Sequence, residues 1–176
     1  LEHDPENDDE RDVQGICHAV AQGITHIDTA ELYADGHSEI IVGKALKELV
    51  REDIFLASKV KGVNLSYDDV LKSCEASLKR MDTDYVDLYY VHWRNLDIPL
   101  EETAKAFNRL REEGLIKNVA VSNFSVQSMK EFQQYLDSPI CANQAHYSLV
   151  YREPEKKGLL EHCRDVNATL VAWRPI

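Results

Sequence analysis

Six short apolar runs recur along this chain, and they constrain its fold more strongly than any other feature. They cover residues 24–28, 54–60, 85–92, 118–122, 140–147 and 169–173, so that successive runs begin 22 to 33 residues apart. Each run is rich in β-branched or aromatic residues and is almost continuously apolar, which is typical of strands that are buried on both faces of a parallel sheet. The runs therefore predict six parallel β-strands.

Amphipathic helical patterns alternate with these runs. One precedes the first run, and one follows each of the first five. Ser66 and Asp69 have the spacing of a capping box at the start of the third helix. Pro99 marks the start of the fourth helix, and Ser125 can cap the fifth. Alternation of strands and helices predicts an α/β fold built on one sheet.

Polar side chains end three consecutive runs. Asp28 closes the first run, Lys59 lies near the end of the second, and His92 closes the third. Because the carboxyl ends of parallel strands meet at one edge of a sheet, we expect these groups to converge there with the nearby Tyr33 hydroxyl. A doubly wound sheet and a (β/α)8 TIM barrel both fit the alternation. We favour the barrel, because polar groups end three consecutive strands, whereas a doubly wound sheet would concentrate a Gly-rich turn after its first strand. The chain has no G-x-G-x-x-G or Walker loop.

The predicted barrel is incomplete. A full barrel has eight strand–helix units and typically about 250 residues. This chain shows no strand pattern before residue 24, and its sixth run ends at residue 173 of 176. Residues 1–176 are therefore interpreted as a single barrel domain with about six parallel strands. We expect either that the chain is itself a fragment or that parts of the natural protein are missing from this sequence.

Composition limits the partners of the chain. The net charge is −11 and no cluster of Lys and Arg is visible, which argues against a nucleic-acid partner. No apolar stretch approaches the roughly 20 residues that cross a bilayer, and the acidic N-terminal segment is unlike a signal peptide. A cytoplasmic protein with no membrane partner is therefore predicted. The cysteines are widely spaced, which predicts buried free thiols rather than disulfides or a metal site, at Cys17, Cys74, Cys141 and Cys163.

Short motifs in a fixed order resemble those of the aldo-keto reductase family. They are DTAELY (28–33), GHSE (36–39), VGKAL (42–46), SKV (58–60), VHW (91–93), EGLIK (113–117), VSNF (121–124) and NQ (143–144). The resemblance runs from about residue 10 to the end of the chain. It implies a TIM barrel that reduces aldehydes and ketones with a nicotinamide cofactor, usually NADPH, with NADH not excluded. It also implies that an N-terminal hairpin and the last two strand–helix units are lacking here.

The resemblance assigns roles to individual residues. Tyr33 would donate a proton to the carbonyl oxygen as hydride reaches the carbon. Lys59 would favour loss of that phenolic proton, Asp28 would hold Lys59 charged and aimed, and His92 would orient the carbonyl. Taken singly, each of these residues has a structural interpretation too, such as a loop cap, a solvated strand end or a packing aromatic. Their joint placement at successive strand ends favours catalysis.

Further residues are implied to bind the cofactor and the substrate. Ser122, Asn123 and Gln144 would hydrogen-bond the nicotinamide carboxamide, although Asn123 could also simply end a strand. Trp93 would wall the pocket of a small-molecule carbonyl substrate. Trp173 would stack on the nicotinamide ring in place of the usual tyrosine.

Two other positions depart from the family pattern. Arg174 replaces a small residue beside Trp173, and His146 stands where an acidic residue is common. The sequence offers no reason for His146. The substrate, the oligomeric state and the preference between NADPH and NADH are not predicted.

Two alternatives to an active reductase stay open, and a third is disfavoured. A non-catalytic cofactor-binding or regulatory subunit on the same fold is one, and an inactive fragment is another, because open sheet edges and missing phosphate-binding loops would weaken cofactor binding by residues 1–176 alone. A metal-dependent hydrolase using His92 and Asp28 is disfavoured, because the Lys59 cation would lie among the ligands.

Overall fold

The six predicted strands form one sheet in which every neighbouring pair is parallel. The structure, a computed structural model, describes residue 4 and residues 6–176. The strands are β1 (His26–Asp28), β2 (Phe55–Val60), β3 (Val86–Val91), β4 (Ile116–Ser122), β5 (Ile140–His146) and β6 (Thr169–Trp173). The helices are α1 (Asp9–Ala21), α2 (His37–Leu46), α3 (Tyr67–Met81), α4 (Leu100–Glu112), α5 (Val126–Gln133), α6 (Glu153–Lys156) and α7 (Leu159–Asp165). Short 3-10 turns cover Tyr33–Gly36, Arg51–Asp53 and Gly62–Asn64.

The strands are ordered β1-β2-β3-β4-β5-β6 across the sheet. A doubly wound sheet reverses its strand order at a switch point, so this sequential order rules that alternative out and confirms the α/β barrel arrangement with six strands. In the part of the chain that the structure describes, β1 pairs only with β2, and β6 pairs only with β5. The sheet is therefore an open segment of a (β/α)8 barrel.

The two faces of the sheet differ in what covers them. The main core lies between the sheet and the helices, and Leu56, Tyr89 and Phe107 are fully buried in it. A second cluster of mostly small residues, including Ala57 and Ala142, occupies the opposite face. Because side chains alternate along a strand, Lys59 and Gln144 share that second face with Ala57 and Ala142 respectively. This inner face carries the candidate site.

Two observed strands begin two residues away from their predicted starts. β1 begins at His26 rather than at residue 24, because Ile24 is 62% exposed and its backbone N–H bonds to the carbonyl of Ala19 at the end of α1. β4 begins at Ile116, earlier than predicted, because Ile116 already pairs with Val86 of β3. The four-residue helix α6 was not predicted from the sequence.

The predicted helix starts are confirmed in part. Ser125 caps α5, with its side chain accepting a hydrogen bond from the backbone N–H of Ser128 at 3.1 Å. Pro99 directly precedes α4. Ser66 precedes α3, but the predicted capping box is wrong, because the Ser66 hydroxyl donates to the Asp69 carboxylate at 2.6 Å instead of bonding to the helix backbone.

All four cysteines are free thiols, but only two are buried. Cys74 and Cys163 lie in the main core, as predicted. Cys17 and Cys141 are only partly buried, so the prediction of burial is wrong for them. The reason at Cys17 is its position on the outer helix α1, where its sulfur faces the carboxylate of Glu48 at 3.8 Å.

Candidate active site

Lys59 is the centre of a polar cluster at the carboxyl ends of the strands. Its side chain is completely buried, and its Nζ donates hydrogen bonds to the Asp28 carboxylate, to the Thr29 carbonyl oxygen at 2.8 Å and to the Tyr33 hydroxyl at 3.3 Å. A buried ammonium is costly unless it is paired and fully hydrogen-bonded. These three partners use its three N–H groups.

Tyr33 lies in the turn that follows β1. Its ring is edge-on to His92, with the ring centroids 5.6 Å apart, and Lys59 Nζ lies 4.8 Å from the Tyr33 ring centroid. The next two residues, Ala34 and Asp35, have φ values of 48° and 52°. Non-glycine residues adopt this left-handed region at a cost, and such strain is often found beside functional groups. The ring contacts place Tyr33 against His92 and Lys59 at the strand ends.

Glu31 was not singled out from the sequence, yet it ties the Tyr33 turn to β2. Its carboxylate accepts hydrogen bonds from the Lys61 backbone N–H at 2.7 Å and from the Asn64 side chain at 3.3 Å. Its own backbone N–H donates to the Lys59 carbonyl at 3.3 Å. In the sequence, the one feature that could have pointed to Glu31 is its place between Asp28 and Tyr33 in the DTAELY motif.

His92 directly follows β3 and is only 3% exposed. Its ring stacks on Trp93 with centroids 3.7 Å apart, and its Nδ1 has no hydrogen-bond partner within the described residues. Burial, and then the positive charge of Lys59, lower the pKa of His92 to about 4, although Asp28 opposes the shift. The imidazole is therefore neutral at physiological pH and carries a single N–H.

We predict that His92 makes the protein less stable in acid. The folded protein binds the His92 proton with a pKa of about 4, against an ordinary value of 6.5. Between these pH values the unfolded chain binds more protons, so this group's stabilisation is complete above pH 6.5 and declines as the pH falls towards 4. The pKa difference corresponds to a loss of up to about 3 kcal/mol in the free energy of unfolding.

Urea unfolding at about pH 7 and about pH 4 measures this effect. His92→Gln should show a smaller pH dependence than the parent protein, because glutamine does not titrate. His18→Gln, which removes an exposed imidazole from α1, is the control. Equal pH dependence in the parent and in His92→Gln would contradict the prediction.

The residues predicted to hold the nicotinamide form a hydrogen-bonded network of their own. Ser122 donates to the Gln144 carbonyl at 3.0 Å, and Asn123 Nδ2 donates to the Ser122 hydroxyl at 2.9 Å. Trp173 Nε1 donates to Asn123 Oδ1 at 3.1 Å. Gln144 Nε2 donates to Asp28 Oδ2 at 2.8 Å, which links this network to Lys59. Gln144 Oε1 accepts no hydrogen bond from any residue described, so it is available to a ligand.

A cavity of about 300 Å³ opens at this edge of the sheet. Asp28 and Lys59 do not line it and lie behind Tyr33, whereas Trp93 is 43% exposed at its wall. The structure thus brings together all nine residues singled out as a candidate site. Those that line the cavity are Tyr33, His92, Trp93, Ser122, Asn123, Gln144 and Trp173, together with Arg174.

The structure accounts for one of the departures from the family pattern. His146 stacks on Trp173, with centroids 4.4 Å apart and an interplanar angle of 15°. An acidic side chain could not make this contact. Arg174 is exposed, and its guanidinium carbon lies 5.6 Å from the Trp173 ring centroid.

The described residues offer neither a metal-binding cluster nor a helix that could span a membrane. Over residue 4 and residues 6–176, no three His, Cys, Asp or Glu side chains are grouped so that they could hold a metal ion. The same residues include no helix that is long and apolar enough to span a membrane. Asp28 is engaged by Lys59 and Gln144, which leaves it poorly placed as a metal ligand.

Several known proteins are similar to this chain in sequence. The aldo/keto reductase family model matches residues 2–176. Methylglyoxal reductase YeaE of Escherichia coli (strain K12) is 40% identical over 166 residues, which are 94% of this chain and 57% of that protein. Aldo-keto reductase YhdN of Bacillus subtilis (strain 168) is 38% identical over an aligned stretch of 175 positions, and the match covers 94% of this chain and 52% of that protein. The chain therefore spans about half the length of the curated relatives it matches.

Solved structures agree with the fold. The thermostable aldo-keto reductase Tm1743, in complex with the inhibitor epalrestat, has a TM-score of 0.96 and 45% identity, and the match covers 99% of this chain and 64% of that one. An aldo/keto reductase from Klebsiella pneumoniae in complex with NADP and acetate has a TM-score of 0.88 and 37% identity, covering 94% of this chain and 58% of that one. On sequence and structure alike, the chain belongs to the aldo/keto reductase family.

Proposed function

We propose that the protein reduces an aldehyde or ketone to an alcohol, with hydride from a nicotinamide cofactor and a proton from Tyr33. The observation that carries this proposal is the contact of Lys59 Nζ with both the Asp28 carboxylate and the Tyr33 hydroxyl, which is 3.3 Å away. Tyr33 in turn lines a cavity together with His92. Hydride addition to a carbonyl places negative charge on oxygen, so a proton donor is needed at that oxygen.

Each member of the cluster has a distinct role. Tyr33 holds the proton at Oη and gives it to the carbonyl oxygen. Lys59 donates to the same Oη and stabilises the negative charge that remains on it. Asp28 keeps the buried ammonium charged and pointed at Tyr33. His92, which is neutral because of its lowered pKa, directs its N–H at the carbonyl oxygen and orients the substrate.

The residues present fit a nicotinamide. Trp173 offers an aromatic face at the cavity, and Gln144 Oε1 offers an acceptor to a carboxamide N–H₂. Asn123 Oδ1 accepts a hydrogen bond from the Trp173 indole N–H, and the Ser122 hydroxyl donates to the backbone carbonyl of Gln144, so these two residues support the Trp173 ring and the strand end that carries Gln144. When bound, the reduced nicotinamide supplies the hydride. NADPH is the proposed cofactor, and the Klebsiella pneumoniae relatives solved with NADP and with NADPH support that choice.

The proposed substrate is a small carbonyl compound. The cavity of about 300 Å³ would have to hold the nicotinamide ring as well as the carbonyl compound, which favours a small substrate. Trp93 and His92 form a stacked aromatic wall that favours a planar or apolar substituent on the carbonyl. The name of the relative YeaE, a methylglyoxal reductase, supports a small α-dicarbonyl as one candidate.

Turnover distinguishes this proposal from a cofactor-binding subunit on the same fold. The natural polypeptide that carries residues 1–176 should consume NADPH in the presence of methylglyoxal or an aromatic aldehyde, and the alcohol should form in equal amount. The measurement is the loss of nicotinamide absorbance together with product analysis. NADPH binding without consumption, across a panel of aldehydes and ketones, would refute the reductase and favour the binding subunit.

A further inference from the structure

We propose that His146 and Tyr151 are positioning residues that back the Trp173 ring and fix it as the platform for the nicotinamide. This inference rests on the proposed function and extends it to two residues outside the catalytic cluster. His146 is also the one departure from the family pattern that the sequence left without a reason.

Three aromatic rings form a continuous stack at the carboxyl ends of β5 and β6. Tyr151 lies on His146 with ring centroids 4.1 Å apart and an interplanar angle of 14°. His146 lies in turn on Trp173 at 4.4 Å and 15°. Both contacts are close and nearly parallel, so His146 covers one face of the indole and Tyr151 covers the far face of His146.

The outer ring is held by its own loop. The Tyr151 backbone N–H donates to the Ser148 hydroxyl at 3.0 Å, and the Ser148 backbone N–H donates to the Tyr151 carbonyl at 3.1 Å. In the same loop, the Tyr147 hydroxyl donates to the Glu155 carboxylate of α6, which also pairs with Arg152. The stack thus has a fixed outer end.

Trp173 is also fixed within its own plane. Its Nε1 donates to Asn123 Oδ1, and Asn123 Nδ2 bonds to the Ser122 hydroxyl and to the His92 carbonyl at 3.3 Å. The stack sets the tilt of the indole, and this hydrogen bond sets its rotation. Because Asn123 also bonds to the backbone of His92, it fixes the position of the Trp173 ring relative to the catalytic cluster.

The space beside the stacked rings bears on how the Trp173 indole is held. The three rings also line a second cavity, of about 510 Å³, on the outer side of the strand ends. In the part of the chain that the structure describes, His146 is the ring that stacks on the indole and Asn123 accepts from its Nε1, so these two residues hold the ring. Arg174 approaches the ring only at 5.6 Å from an exposed position, so it can yield to a ligand.

Placement of the nicotinamide controls the rate of hydride transfer. A misplacement of about 1 Å between reacting groups can cost about 100-fold in rate. An indole without backing can tilt away from the cavity, and a nicotinamide stacked on it would tilt as well. We therefore expect loss of the His146 ring to slow hydride transfer more than it affects the affinity for the carbonyl substrate.

The test compares His146→Ala, which removes the ring, with His146→Phe, which keeps a stacking ring, in the natural polypeptide. We expect His146→Ala to lower the single-turnover rate of hydride transfer by about tenfold or more, with little change in KM for the aldehyde. His146→Phe should restore most of that rate. Tyr151→Leu should give a smaller loss in the same direction, and His18→Ala, at an exposed position on α1, is the matched control.

A second measurement does not depend on turnover. In a natural polypeptide whose other tryptophans, Trp93 included, are replaced by phenylalanine, Trp173 is the sole tryptophan. Its near-ultraviolet circular dichroism without cofactor should weaken in His146→Ala and persist in His146→Phe, and quenching of its emission by NADPH should follow the same order.

The outcomes separate this inference from the proposed function. If the parent consumes NADPH with an aldehyde but His146→Ala transfers hydride at the parental rate, the backing role is wrong and the reductase stands. If His146→Phe is as slow as His146→Ala, stacking is not the property that matters, and the inference also fails. A parent that neither binds nor consumes NADPH overturns the proposed function and this inference with it.

Discussion

Replacing Tyr33 with phenylalanine is expected to lower the rate of carbonyl reduction by roughly 100-fold or more, with cofactor affinity near the parental value. Phenylalanine keeps the ring that lies edge-on to His92 but lacks the hydroxyl that contacts Lys59 Nζ at 3.3 Å. The variant therefore retains the packing of the site and loses only the proposed proton donor. Steady-state kinetics with NADPH and an aldehyde, together with a fluorescence titration of NADPH, measure the two effects.

Tyr135→Phe provides a matched control for this substitution. Tyr135 is 40% exposed and lies outside the residues that line the cavity, so its hydroxyl should be dispensable for reduction. A Tyr33→Phe enzyme with a near-parental rate would show that another group supplies the proton. A variant that loses NADPH affinity in parallel with its rate would instead indicate a role for Tyr33 in binding.

Asp28→Asn is expected to lower the free energy of unfolding by about 3 kcal/mol at neutral pH. The Lys59 side chain is completely buried, and Asp28 is the carboxylate that pairs with it. Asparagine is close in shape but carries no charge, so the ammonium would stay buried with its hydrogen bonds to Thr29 and Tyr33 but without a counter-charge. The same change should reduce turnover, because Lys59 would no longer be held against the Tyr33 hydroxyl.

Two comparisons make this prediction specific to the buried pair. Asp82→Asn breaks the exposed pair with Lys47, whose side chains are 65% and 68% exposed, and should cost less than about 1 kcal/mol. The double variant Asp28→Asn with Lys59→Met removes both charges and should be more stable than Asp28→Asn alone. Urea unfolding measures all four proteins. An Asp28→Asn protein as stable as Asp82→Asn would contradict the prediction.

The sequence by itself determined the succession of strands and helices along the chain and which polar residues lie at the strand ends, whereas the order of the strands across the sheet came from the structure. Apolar runs of strand length predict buried strands, because burial on both faces requires apolar side chains at nearly every position. Once the strands are parallel, Asp28, Lys59 and His92 must share one edge of the sheet. Strand boundaries were less well determined, since residues such as Ile24 and Ile116 join or leave a strand according to their pairing and not their hydrophobicity.

Only the tertiary structure decided how those edge residues contact one another. Gln144 bonds to Asp28 across 116 positions of sequence, and His146 stacks on Trp173 from the neighbouring strand. The low pKa of His92 arises from its burial and from Lys59, and Glu31 reaches the backbone of Lys61. The physical reason is the same in each case. Hydrophobic periodicity records which side of an element is buried, whereas a contact between two loops depends on strand register and side-chain rotamers, which are set only when the whole sheet is assembled.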